Sequence, residues 1–435
     1  MNRSILKLAI PNIISNITIP LLGLVDMILM GHLSSPIYIG AIALGGTIFS
    51  VLYSFFSFLR AGTTGFTAQS YGAKNFLEVS YSLYRSITIA ILAFLLILCI
   101  QGPIAKLSLA LLDGSDDVKN LAITYFFVRI WAAPANMLLY CLNGWFIGMQ
   151  NTKIPMAIAI IINVLNIIFS IFFVVVMKQD VVGVALGTVI AQYCGLITAL
   201  VFIIVKYRSY LIKIDLHILL DINKLKRFFK VNTDLMIRSI LLVFTIAFFT
   251  NQSAKLGDNI LSINMILLQF FYIFSYFTDG FAYAGEALVG KFIGARDEAK
   301  LQSVVVHLFK WGCYICVPFA ILYALFPTQF VKMISDSPLI LEQIPPYYIY
   351  MVLIPIITFA AFLWDGIYIG ATASKAIRNT MIISSILIFM PLWYFLVPIY
   401  GNHGLWIAFL GFMFARGITM TLFAKNNILQ LPNNQ

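Results

Sequence analysis

Charge is scarce in this chain. Of its 435 residues, 10% are Asp, Glu, Lys or Arg, against roughly 25% in a soluble domain, so water is not its main solvent. Histidine is scarcer still. His32, His217, His307 and His403 fall at expected loops or span ends and form no metal-ligand spacing. The 5 cysteines, Cys99, Cys141, Cys194, Cys313 and Cys316, all lie in apolar stretches. Cys313-x-x-Cys316 has no second pair and no nearby His, so it reads as small apolar residues on a helix rather than half a metal site. No Gly-rich phosphate loop follows a strand, and no Ser/His/Asp or Cys/His set can be assembled at one depth. An intramembrane enzyme or a non-transporting receptor would need a catalytic cluster or a large soluble domain, and neither is present. No low-complexity segment occurs beyond the last few residues.

What the chain has instead is apolar length: 61% of residues are hydrophobic and the mean hydropathy is +0.95. Stretches of about 20 apolar residues, each able to cross ~30 Å of hydrocarbon, recur throughout. They predict twelve spans at 10–32, 40–70, 83–103, 121–148, 154–177 and 182–205, then 233–255, 260–293, 304–326, 346–370, 377–399 and 402–424. The first is read as a span and not a signal peptide, because it is long, holds Pro20 and Asp26, and lacks a small-x-small cleavage pattern.

The net charge of +11 is explained by topology, not by nucleic acid. With both ends inside, residues such as Arg3, Lys74, Lys153, Lys213, Lys226, Arg296 and Lys375 are cytoplasmic, and the outer loops keep only Lys106, Lys119, Lys178, Lys255 and Lys332 beside several acids. That asymmetry is the positive-inside rule.

Shifting the chain by 222 residues superimposes its punctuation. Gly72-Ala73-Lys74 falls on Gly294-Ala295-Arg296, Asn143-Gly144-Trp145-Phe146-Ile147-Gly148 on Asp365-Gly366-Ile367-Tyr368-Ile369-Gly370, and Lys153 on Lys375. One offset serving landmarks this far apart marks a duplicated element plan. Six spans return the chain to its starting side, so the halves are parallel repeats. The expected organisation is an amino-terminal six-helix lobe at 1–205, a basic cytoplasmic linker at 206–232 and a carboxy-terminal six-helix lobe at 233–435. The GxxxG pairs Gly144/Gly148 and Gly366/Gly370 predict close helix packing within the protein. Pro20, Pro134, Pro318, Pro355 and Pro391 interrupt spans, where a missing amide kinks the helix.

The intramembrane charges that stand out are Asp26, Arg60, Arg129, Arg238, Asp279, Glu286 and Asp365. A charge at bilayer depth costs about 2.5–3.5 kcal/mol on insertion scales, so it faces protein or water. Arg60 and Asp279 suit buried ion pairs that tie helices together, and Glu286 suits a structural role. Asp26 differs: no Lys or Arg lies within two helical turns, and desolvation raises the pKa of a buried carboxylate. Asn163, Asn166 and Ser170 share one helix face at i, i+3 and i+7, and Thr188 lies on the next span. Together these groups can hydrate a proton-carrying acid or coordinate a hard monovalent cation; a satisfied interhelical hydrogen-bond cluster is the competing reading. Asp365, the repeat equivalent of Asn143, is the second candidate acid. Pro20 lies under two turns before Asp26 and is a candidate hinge.

Pro20-Leu21-Leu22-Gly23-Leu24-Val25-Asp26 followed by Gly31-His32-Leu33 resembles the first span of the multidrug and toxic compound extrusion (MATE) transporters. Leu59-Arg60-Ala61-Gly62-Thr63-Thr64-Gly65-Phe66-Thr67-Ala68-Gln69 is similar to the second-span signature of the DNA-damage-inducible (DinF) branch of that family. The runs Gly183–Ala191, Asp279–Gly290 and Trp364–Thr372 resemble its sixth, eighth and tenth spans. The resemblance covers nearly the whole chain. It implies an all-α polytopic protein of two pseudo-symmetric six-helix lobes in a V, in a bacterial inner membrane with both termini cytoplasmic. It also implies a monomer that exports lipophilic, often cationic drugs or toxic metabolites in exchange for H⁺ or Na⁺, with no other cofactor.

By the same resemblance Asp26 is the coupling acid, and Asn166 and Thr188 stand at cation-site positions. The family often has an aspartate where this chain has Ser170; losing that charge favours H⁺ over Na⁺, although a hydroxyl still offers one oxygen. The alternative within the superfamily is a lipid-linked oligosaccharide flippase, which would use cationic cavity residues such as Arg60, Arg129 and Arg238.

Overall fold

The structure is a computed structural model that describes residues 1–31, 37–111 and 115–429, excluding the side chains of residues 19–31, 111, 426 and 429. The described residues form helices and connecting turns. Twelve long helices organise the chain: α1 (Asn2–Gly31), then α2 (Ile37–Gly72), α3 (Phe76–Cys99), α4 (Asp116–Gly148), α5 (Lys153–Val176), α6 (Asp180–Lys206), α7 (Ile222–Lys255), α8 (Asp258–Gly294), α9 (Glu298–Leu325), α10 (Pro345–Gly370), α11 (Ser374–Tyr400) and α12 (Asn402–Ala424). Eleven of these, α2 to α12, are apolar enough over 18 residues to cross a membrane; α1 supplies 30 helical residues. The twelve expected spans thus correspond to twelve helices, most of which run several residues past the apolar stretch.

Two compact units result: residues Ile14–Phe228, and residues Met1–Ile13 with Phe229–Gln435. In the second, α1 enters beside α8, where Gly280 lies against the side chain of Ile13 and the carbonyl of Ala9.

The duplication is written in the backbone. Lys74 and Arg296, 222 residues apart, both take positive φ (56° and 53°), as do Gln150 and Thr372 (62° and 52°). Each sits in the same helix stop. The amide of Asn75 donates to the Ser70 carbonyl at 3.0 Å and that of Asp297 to Phe292 at 3.0 Å; Asn151 donates to Phe146 and Ala373 to Tyr368, again at 3.0 Å. These are Schellman closures, in which one left-handed residue lets the amide beyond it satisfy a carbonyl of the last turn. The next helices start alike: the side chain of Asn75 accepts from the Glu78 amide at 3.1 Å, and that of Asp297 from Lys300 at 3.0 Å. The Asp297 carboxyl, also bonded by the Lys300 ammonium, is held below its ordinary value.

Glycine sets the tightest crossings, again in pairs. A Cβ on Gly144 of α4 would run into the Arg60 carbonyl of α2, and one on Gly366 of α10 into the Ala282 carbonyl of α8. A Cβ on Gly370 would stand 2.5 Å from the Glu286 carbonyl, and one on Gly148 would run into Thr67. The GxxxG spacings therefore serve packing within each unit, as expected.

The prolines act by several routes. Pro134 follows a 3₁₀ turn at Ile130–Ala132, and Pro391 follows a π-helical stretch at Ile383–Phe389. Pro318 and Pro355 sit inside continuous helices. Such local widening or tightening absorbs the lost hydrogen bond.

One element differs from the sequence expectation. Residues 222–232, assigned to a linker, already belong to α7. Asp221 starts that helix, its Oδ1 accepting from the amides of Asn223 and Lys224 at 3.0 and 3.2 Å. Hydropathy marks where apolar side chains begin, whereas a capped helix can start well outside the hydrocarbon.

Candidate ion-coupling site and a buried charge cluster

The polar residues of α5 and α6 meet across a tight helix pair. Gly187 of α6 is the reason they can: a Cβ there would approach the Ser170 hydroxyl at 2.7 Å and its amide at 2.8 Å. Asn166, buried at 1% exposure, donates from Nδ2 to Thr188 Oγ1 at 2.9 Å. Thr188 passes its own proton to the Val184 carbonyl at 3.0 Å. Ser170, fully buried, faces Asn166 Oδ1 at 3.5 Å, a long contact. Asn166, Ser170 and Thr188 thus form one buried chain that leaves Asn166 Oδ1 only weakly engaged. An amide oxygen and two hydroxyls in a water-poor setting can solvate a proton-bearing acid or contribute oxygens to a small cation. Asn163 lies on the same helix, half-buried, and does not join this hydrogen-bond chain among the described residues. Asp26 and Pro20 lie on α1, but their side chains fall outside the described ones.

The other intramembrane charges sort into distinct environments. Arg129 of α4 spreads its guanidinium over Phe49 and Tyr125, 4.9 and 5.4 Å from the ring centroids, and donates to the Tyr125 hydroxyl. Cation–π contact of this kind offsets part of the cost of a buried charge. Arg60 of α2 is half-buried, and its carbonyl accepts from Thr64 Oγ1 at 2.9 Å. Glu286 of α8 is 1% exposed beside the Gly370 crossing, where its backbone is part of the helix contact.

Asp365 is held by two arginines. Arg416 of α12 donates from Nη2 to Asp365 Oδ2 at 2.6 Å, and Arg238 of α7 donates to the same oxygen. Arg416 is fully buried and stacks over Phe412 at 5.5 Å. Three helices, α7, α10 and α12, therefore meet at one carboxylate. Asp365, the second candidate acid from sequence, already has two guanidinium partners, a lock on the helices of its unit. Arg416 was missed in the sequence reading; a single arginine mid-span in Phe412-Met413-Phe414-Ala415-Arg416 was the signal that could have found it.

Two further polar clusters escaped the sequence reading. Asn264 of α8 bonds Ser253 Oγ at 2.7 Å and Asn402 Oδ1 at 2.6 Å and accepts from Trp406 Nε1 at 2.8 Å, all buried. Asp234 of α7, 2% exposed, accepts from Ser374 at 2.8 Å and Arg378 at 2.6 Å. Among the described residues no group of three or more His, Cys, Asp or Glu could hold a metal ion.

A twelve-helix duplicated bundle with polar groups sunk in its units is the architecture of a polytopic membrane transporter, and the chain belongs to the MatE family, whose model matches it twice, over residues 11–172 and 235–395. It is 34% identical over 421 residues to DNA damage-inducible protein F of Escherichia coli (strain K12), covering 96% of this chain and 91% of that protein. It is 23% identical to the probable multidrug resistance protein NorM of Shewanella oneidensis, over 93% of this chain and 90% of that one. Among solved structures it resembles a MATE protein in the bent conformation, with a TM-score of 0.86 at 19% identity, covering 98% and 95% of the two chains. The Vibrio cholerae MATE transporter VcmN in its bent form gives 0.86 at 16% identity, covering 98% and 96%. At these identities the structures speak to the fold.

Proposed function

We propose that this chain is a secondary active multidrug exporter of the bacterial inner membrane. It would move lipophilic, often cationic compounds outward against H⁺ by alternating access of two six-helix lobes, residues 1–205 and 233–435. The observation that supports the reading is the buried Asn166–Thr188–Ser170 chain on α5 and α6, residues that the family resemblance would make partners of the Asp26 carboxyl. Protonation of Asp26 removes a buried charge, α1 bends at Pro20, and the altered helix weakens the drug's contacts. Release of that proton inward resets the cycle. Each proton supplies ~2.3 kcal/mol per 100 mV and ~1.4 kcal/mol per pH unit, enough for substantial accumulation.

Ser170 in place of a second carboxylate favours H⁺ over Na⁺ at Asp26, Asn166 and Thr188. A lipid-pyrophosphate flippase is the weaker reading, because Arg238 and Arg416 are engaged with Asp365. Both termini cytoplasmic, a monomeric state and transport without chemistry on the substrate complete the proposal.

The test is flux in proteoliposomes with imposed H⁺ or Na⁺ gradients and a panel of organic cations. Asp26→Asn should bind drug yet lose uphill transport; a variant that still concentrates drug on a pH gradient would sink the assignment. Transport driven by Na⁺ alone would move the coupling to the alternative ion.

A further inference from the structure

The segment between α6 and α7 is held unusually well for a linker. Its backbone, an irregular stretch at 211–215 between a 3₁₀ turn at Arg208–Tyr210 and a helical turn at Leu216–Leu219, runs beside the first turns of α3 and is bonded there by side chains. Tyr84 donates to the Ile212 carbonyl at 2.8 Å, the Asp215 amide donates to the Tyr81 hydroxyl at 2.8 Å, and Arg85 donates to the carbonyls of Ile218 and Leu219 at 2.8 and 3.4 Å. Ser80 donates to the Tyr210 carbonyl. Glu78 completes the clamp, bonded by Arg85 at 3.0 Å and by Lys224.

These anchor residues lie roughly 6–14 Å along α3 from Phe76, at the start of the apolar stretch 83–103, which by hydropathy puts them at headgroup depth. At that depth a non-helical backbone is tolerated only if its polar groups find partners in protein, and the α3 side chains supply them.

The strap's aliphatic residues meanwhile face outward. Ile214 is 54% exposed, Leu216 65%, Leu220 56% and Ile222 71%. Lys206, Lys213 and Lys226 are exposed around them. Apolar side chains flanked by lysines at headgroup depth have the amphipathic character of an interfacial anchor, and basic residues there are attracted to anionic lipid.

We propose that residues 207–228 form an interfacial strap that seats its aliphatic side chains in the adjacent leaflet and gathers anionic phospholipid headgroups with Lys206, Lys213 and Lys226. The occupant follows from charge complementarity and from continuity with two membrane helices, α6 and α7. It stands apart from the coupling reading, since it concerns lipid and not the transported ion.

The experiment places a nitroxide on Leu216→Cys in the full chain, its five cysteines replaced, in phosphatidylethanolamine vesicles with or without phosphatidylglycerol. The expected result is an oxygen-to-nickel-chelate collision ratio several-fold above that of a label on the exposed loop residue Asp336. The ratio should fall when Lys206, Lys213 and Lys226 are all changed to Gln, and only where phosphatidylglycerol is present. A label as open to the nickel chelate as the loop control would overturn the proposal. So would equal depth in both vesicles and in the Gln variant, which would remove the headgroup term. Dipolar broadening that disappears on dilution with lipid would hand the face to a second copy of the chain and also refute it. Circular dichroism and monodisperse elution of the Gln variant separate misfolding from lost lipid contact.

Discussion

Arg416 and Asp365, 51 residues apart in the chain, share a 2.6 Å charged hydrogen bond at 0% and 6% exposure. Arg238 binds the same carboxylate oxygen from a third helix. Breaking such a pair from one side strands a buried charge, at about 3–5 kcal/mol, whereas replacing both partners by apolar groups can be nearly neutral. Asp365→Leu should therefore lower the thermal unfolding temperature in detergent strongly, and Asp365→Leu with Arg416→Met should recover a large part of the loss. If the double variant is no better than the single, the cluster is not acting as a charge lock.

The Gly366 crossing predicts a contrast between two glycine-to-alanine changes. Gly366→Ala drives a methyl into the Ala282 carbonyl, and overpacking of this sort costs about 1–3 kcal/mol or more. Gly46→Ala meets nothing within 4 Å and should be neutral or stabilising by about 0.4–1 kcal/mol. Paired melting curves of the two variants decide it.

Asn166 and Thr188 should behave as a coupled pair. Interhelical hydrogen bonds in membranes average about 0.6 kcal/mol, with a maximum near 1.7. Asn166→Ala and Thr188→Val are each expected to cost little stability, and a double-mutant cycle should show that the losses do not add. The same variants should shift the external pH at which drug uptake into inverted vesicles is half-maximal, because both alter the surroundings proposed for Asp26. An unshifted pH profile in both variants would reduce the pair to helix packing.

The repeat-related caps predict matching losses in the two halves. Asn75→Ala and Asp297→Ala each remove the acceptor for a third-position amide and so should destabilise their helix starts alike. The Asp297 carboxyl is held below its ordinary value by the Lys300 hydrogen bonds and charge. A depressed acid contributes above its unfolded pKa and loses that contribution as pH falls through its folded one. The Asp297→Ala penalty should thus shrink in acid, while that of the uncharged Asn75 cap should not. Urea unfolding at neutral and acidic pH compares them.

Much of this protein was legible from residue order because the bilayer imposes a one-dimensional rule. Each crossing must be a long apolar helix, so hydropathy revealed the twelve spans, and the 222-residue offset revealed the duplication; the matching stops at Lys74/Arg296 and Gln150/Thr372 came from the backbone. Helix periodicity likewise put Asn166 and Ser170 on one face. What periodicity could not disclose was partnership between distant helices. That Asp365 would be claimed by Arg238 and Arg416, that Gly187 would admit Ser170 to α6, and that Tyr81, Tyr84 and Arg85 would grip the linker were decided only when the helices packed. Those contacts depend on crossing angle and depth, which follow from the sum of many side-chain fits and leave no local pattern in the chain.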